Sequence, residues 1–123
     1  MKLLNRSAIT LLARAPFAQW IAALPVDPDG MDEPLSLQEL RKEGNVYLID
    51  EVDEEADFNE FLKHSWEMIF KNELTAWDEF ADHWPENLSY ELFLQWFECT
   101  NQIMAFDVSD EVLLVAPLDK LAE

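Results

Sequence analysis

Apolar residues along the chain change period several times, and each change marks a boundary between elements. Residues 7–12 (SAITLL) are apolar on both faces and include the β-branched Ile9 and Thr10, a pattern that suits an inner strand flanked on both sides. Pro16 pre-sets φ for a first helical turn, and Phe17, Trp20, Ile21 and Leu24 follow at i, i+3, i+4 and i+7. A short helix over 16–24 therefore has one apolar face, and the first strand is its natural support. Residues 25–34 hold three prolines, one glycine and four acids, a composition that stops helices and predicts a mobile acidic loop. Ser36 and Glu39 have the capping-box spacing, so a helix of one or two turns starts there and stops at Gly44.

The continuous apolar run over 46–49 (VYLI) predicts a second buried strand. Asp53 is the expected N-cap of the main helix, with Glu54, Glu55 and Asp57 in a first turn where the helix dipole favours negative charge. Phe58, Phe61, Leu62, Ser65, Trp66, Ile69, Phe70, Leu74 and Trp77 then keep helical spacing for more than five turns. Trp84 and Pro85 close that segment. Ser89 caps a last helix whose inward face is Phe93, Trp96, Phe97, Thr100, Ile103 and Met104, and residues 105–108 or 112–116 supply a third strand. The sum is an α+β domain over 1–123, a small sheet of about three strands covered by three to four helices. Parallel neighbours in that sheet would require right-handed crossovers.

Composition narrows what such a domain does. Half of the residues are hydrophobic and 15 are aromatic, enough to bury a core and to set the chain apart from disordered acidic tails. Eight Lys and Arg against 26 Asp and Glu give a formal charge of −18, which disfavours direct phosphate binding and anionic membranes alike. The charge is segregated: residues 1–42 balance five bases against five acids, whereas 43–123 hold three bases and 21 acids. A domain this size has a radius of gyration of about 14 Å, little more than a Debye length of about 8 Å, so a strong negative field surrounds it. A single cysteine, Cys99, allows no intrachain disulfide, and the apolar stretches are too short or too interrupted for a signal peptide or membrane span, so a cytoplasmic address is expected.

Several short words of the sequence occur together. Asn5-Arg6-Ser7-Ala8-Ile9, Pro16-Phe17 with Trp20, Val46-Tyr47-Leu48-Ile49 followed by acids, Trp84-Pro85, and Phe93 with Trp96-Phe97-Glu98 resemble a family of short, acidic, uncharacterised bacterial proteins over residues 5–108. The resemblance implies a bacterial origin, a cytoplasmic address and one domain, with 109–123 as a C-terminal extension beyond the matching stretch. It assigns no activity and no functional residue.

The densest chemical feature is Asp50, Glu51, Asp53, Glu54, Glu55 and Asp57, six acids in eight residues at a strand end and helix start. They serve the helix dipole, or contact a basic partner protein. A calcium loop needs oxygen ligands around a sharp bend that commonly carries glycine, and this stretch has none. Asp27, Asp29, Asp32 and Glu33 around Gly30 match such a loop only in part, because Pro28 intervenes and the bidentate Glu is missing. Glu60, His64 and Glu67 share one helical face, turned to solvent and laced with ordinary i,i+3 and i,i+4 pairs. His83 stands in a connection without a carboxylate set, and Cys99 has no cationic neighbour in sequence to lower its pKa. Two glycines in the whole chain exclude a P-loop and a dinucleotide fingerprint. Trp66, Trp77, Trp84 and Trp96 are expected in the core, with partners for their indole N–H groups.

The expected function is a non-catalytic acidic interaction module that meets a basic partner protein through 50–57, with no cofactor and no metal. A polyanion mimic occupying a nucleic-acid-binding surface is a variant of that reading. The alternative is a small-ligand binder or enzyme at the end of the 46–49 strand, with Asp50 or Glu51 as acid or base if burial raises its pKa.

Overall fold

The computed structural model describes residues 1–25 and 35–118. In chain order its elements are β1 (Lys2–Leu3), β2 (Ser7–Ala13), α1 (Ala15–Ala23), α2 (Leu37–Lys42), β3 (Asn45–Ile49), α3 (Glu55–Thr75), α4 (Tyr90–Trp96), β4 (Phe97–Gln102) and β5 (Phe106–Asp107). The fold is α+β, with a three-stranded sheet of order β3-β2-β4 and a separate ribbon of β1 with β5. SAITLL is the inner strand its pattern predicts. Both of its neighbours run antiparallel, so the crossover rule for parallel strands has no role in the sheet.

Register decides which side chains meet. Ile9 lies opposite Tyr47 and Asn101, Leu11 opposite Asn45 and Cys99, and Ala13 opposite Phe97, so these residues share the face that the helices cover. Ala8, Thr10 and Leu12 share the other face with Val46, Leu48, Glu98, Thr100 and Gln102. The core collects on the helical side, where Phe17, Phe58, Phe70, Leu74, Phe93 and Phe97 are each at most 3% exposed. Six aromatic rings from four elements interlock there. Phe17 lies 4.6 Å from Phe97, Trp20 lies 5.9 Å from Trp96, and Phe70 is edge-on to both Trp96 and Phe97. Phe93 completes the group, 5.7 Å from Phe70. Each such pair contributes roughly 0.5–1.5 kcal/mol beyond its buried area.

Several sequence expectations change. The last helix does not run to Met104: it stops at Trp96, Phe97 adopts extended angles, and 97–102 becomes the third strand of the main sheet. That segment fits a helical period, but it equally alternates Phe97, Cys99 and Asn101 inward with Glu98, Thr100 and Gln102 outward. The unpaired edge of β2 decides between the two. Of the two expected third strands, 105–108 contributes β5 to the small ribbon, and 112–116 forms no strand. Residues 109–118 contain no helix or strand and their side chains are exposed.

The 46–49 strand is an outer strand instead of a buried one, with Val46 60% and Leu48 48% exposed because helices cover one sheet face only. Glu54, not Asp53, is the N-cap of α3, and it forms no side-chain capping bond. Apart from Pro25, the predicted 25–34 loop lies outside the described residues.

Half of the predicted capping box forms at Ser36: the Glu39 N–H donates to Ser36 Oγ at 3.2 Å, while the Glu39 carboxylate accepts from the Ser36 hydroxyl at 3.0 Å and not from the Ser36 backbone N–H. Gly44 then brings the chain so close to β2 that a Cβ there would stand 2.6 Å from the Leu11 carbonyl oxygen and 2.7 Å from Leu12 Cδ2. Ala81, between α3 and α4, has φ 62°, a left-handed conformation that costs a non-glycine residue about 1–2 kcal/mol. Opposite outcomes are expected at these two positions. Gly44→Ala should destabilise by about 1–3 kcal/mol through overpacking, whereas Ala81→Gly should gain up to about 1 kcal/mol after the extra unfolded-state entropy of glycine. Urea midpoints at unchanged m-value measure both.

Candidate functional site

The acidic stretch leaves the carboxyl end of β3 and enters α3, and all six of its acids are exposed. Its backbone is nevertheless anchored. Val52, half-buried between Glu51 and Asp53, donates its N–H to Ser7 Oγ at 3.0 Å, and the Ser7 hydroxyl donates to the Ile103 carbonyl at 2.8 Å. Ser7 is fully buried, so one hydroxyl ties the start of β2, the β3–α3 link and the chain beyond β4 at a single point. Glu55 and Asp57 occupy the first turn of α3, where the dipole favours them. Among the described residues the six carboxylates form no side-chain hydrogen bond and no ion pair. Lys2, Arg41, Lys63 and Lys71 pair instead with Asp107, Glu98, Glu60 and Glu67.

A second polar site was not singled out from the sequence. Glu73, in the last turn of α3, is only 8% exposed. Its Oε2 accepts hydrogen bonds from Asn45 Nδ2 at 2.7 Å and from the Tyr47 hydroxyl, and Asn72 Nδ2 donates to that same phenol oxygen at 2.9 Å. Asn45 and Tyr47 stand two apart on β3 and so project to the same face, beneath α3. Burial, then the negative charge of Glu73 and the hydrogen bond to it, push the Tyr47 phenol well above its ordinary pKa, with the Asn72 bond acting weakly the other way. The signal for this site was present: Glu73 interrupts the apolar stripe Ile69, Phe70, Leu74, Trp77 of the main helix. A cavity of about 60 Å³ opens beside Glu73, walled by Phe17, Trp77, Phe97, Asn45, Gly44 and Glu43. Asp50 and Glu51 do not line it, and their exposure removes the burial that would tune either as an acid or base.

Other candidate residues have plain roles. His64 is exposed between ion pairs of Lys63 with Glu60 at 3.6 Å and Lys71 with Glu67 at 2.9 Å. His83 donates its backbone N–H to Asp78 Oδ2 and lends its carbonyl to the Trp20 indole at 2.9 Å, while the Trp84 indole donates to the Asp78 carbonyl. Trp96 is buried, Trp66 and Trp84 are half-buried, and Trp77 is exposed at the cavity rim, contrary to the core position expected for it. Desolvation raises the Cys99 thiol to about 11, with Arg14 lowering it and Glu98 raising it. Among the described residues no three His, Cys, Asp or Glu side chains converge to hold a metal ion. None of the described helices is long and apolar enough to cross a membrane. Comparisons with protein-family models, with curated proteins and with solved structures return no match to the chain.

Two expected outcomes follow from these anchors. Ser7→Ala strands the Val52 N–H and the Ile103 carbonyl and should cost about 1–3 kcal/mol in a denaturant titration. Tyr47 holds its proton more tightly folded than unfolded, so its contribution to stability is complete below pH ~10 and falls above it, by at most about 1.4 kcal/mol per pH unit for one proton. Tyr47→Phe should lower stability at pH 7 and flatten that alkaline decline, leaving only the smaller part of the decline due to Cys99.

Proposed function

We propose that this chain is a non-catalytic interaction module that meets a basic partner protein through Asp50, Glu51, Asp53, Glu54, Glu55 and Asp57. The observation that carries this reading is the pairing pattern. Among the described residues, Lys2, Arg41, Lys63 and Lys71 are engaged with acids outside the cluster, and the six carboxylates are exposed and pair with no cation. They sit on a backbone held by the buried Ser7 hydroxyl, so less ordering is needed on binding than for a free acidic tail. The net −18 steers a cationic partner toward the molecule and repels polyanions. An acid–base site at Asp50 or Glu51 is less favoured, because both are exposed and stand apart from the cavity.

Affinity capture from a lysate at low and moderate salt supplies the partner, and stopped-flow association at two ionic strengths tests the surface. Replacing Glu51 and Glu54 by Gln should slow association and flatten its salt dependence while thermal stability moves by no more than about 1 kcal/mol. Unchanged association rates overturn the assignment of the surface. Displacement of the partner by duplex DNA identifies the polyanion-mimic form of this function, and indifference to DNA excludes that form.

A further inference from the structure

Glu73 is a buried acid with no cation beside it among the described residues. It is 8% exposed, it lies in the last turn of α3, where the helix carbonyls present partial negative charge, and that turn contains no basic residue. No Lys, Arg or His lies within ion-pairing distance of it among the described residues. Its two hydrogen-bond donors, Asn45 and Tyr47, are neutral, and both reach Oε2. Oε1 accepts no hydrogen bond from the described residues, and Glu73 lines the 60 Å³ cavity together with Glu43 and the aromatic walls of Phe17, Trp77 and Phe97.

We propose that this cavity is a binding site for a primary alkylammonium group, with Glu73 as its counter-ion. An ammonium carries three N–H donors, and Glu73, Glu43 and Asn45, whose side chains carry acceptor oxygens, line one small space. The aromatic residues of the lining suit a cation bearing methylenes: the stem packs on apolar surface, and the exposed Trp77 is the ring open to a positive charge. The volume admits the headgroup with one or two methylenes and excludes a nucleotide or a whole amino acid. A hard divalent cation fits poorly, because it requires about six oxygen ligands and three of the walls are aromatic rings. The site is independent of the acidic cluster: Glu73 stands 18 residues after Glu55 on α3, roughly 27 Å along the helix axis.

The ammonium has two chemical sources, a free amine and a lysine side chain of another protein, and one titration separates them. The intact protein is followed by amide and indole NMR signals while n-butylammonium, putrescine or an acetylated Gly-Lys-Gly amide is added at constant ionic strength. Saturable shifts at Gly44, Asn45 and the Trp77 indole are expected in about the millimolar range, with tetramethylammonium, which has no N–H, at least tenfold weaker. Tighter binding of putrescine than of the peptide identifies a free amine, and the reverse order identifies a lysine side chain. Glu73→Gln should weaken binding at least tenfold. Glu43→Gln, at an exposed position where the fold is not at stake, should weaken it about threefold. Shifts that grow linearly and match those produced by sodium chloride, or Glu73→Gln and Glu43→Gln variants that bind butylammonium as the parent does, overturn the proposal.

Discussion

The structure depends on one constraint: β2 is an inner strand, and buried backbone groups on both of its edges require partners. No segment adjacent in sequence supplies them. β3 arrives on one edge after α1 and α2, and β4 arrives on the other after α3 and α4. Both run antiparallel, and the helices between them are laid over a single sheet face. The aromatic cluster forms where these routes converge, because Phe97 opens β4 directly after Trp96 closes α4. The Arg14 N–H donates to the Trp96 carbonyl at 2.8 Å, which binds the end of β2 to the junction itself.

The same constraint explains what was legible in the sequence. Local signals with a single reading came through: the two-sided apolar run of β2, Pro16 with its i, i+3, i+4 stripe, the Ser36 N-cap, and the long period of α3. The 97–102 segment carried two compatible periods, and only the vacant edge of β2, a tertiary fact, selects the strand. Val46 and Leu48 misled in a similar way. An unbroken apolar run suggests burial on both faces, yet the number of covered faces depends on where all the helices pack.

Legibility of the functional features divides by mechanism. Exposed acids crowd one stretch, so their clustering is visible as composition. Glu73 draws its environment from Asn45 and Tyr47, 28 and 26 residues away, and a helix wheel shows only that an acid sits on an apolar stripe. Ser7 is harder still. A serine at a strand start has many ordinary explanations, and its bonds to Val52 and Ile103 exist only once three distant segments meet.

The outer position of β3 has a colloidal consequence. Sheet edges invite a second chain to pair, and proteins commonly guard them with lysine, proline or a bulge. Within Asn45–Ile49 there is neither lysine nor proline, and Val46 and Leu48 face outward. Val112 and Leu114 add further exposed apolar surface at 83% and 88%. Repulsion between molecules of formal charge −18 opposes the approach of two such edges. The acidic residues thus act as gatekeepers at a distance, and each carboxylate neutralised to probe binding also removes part of the barrier to edge-to-edge aggregation.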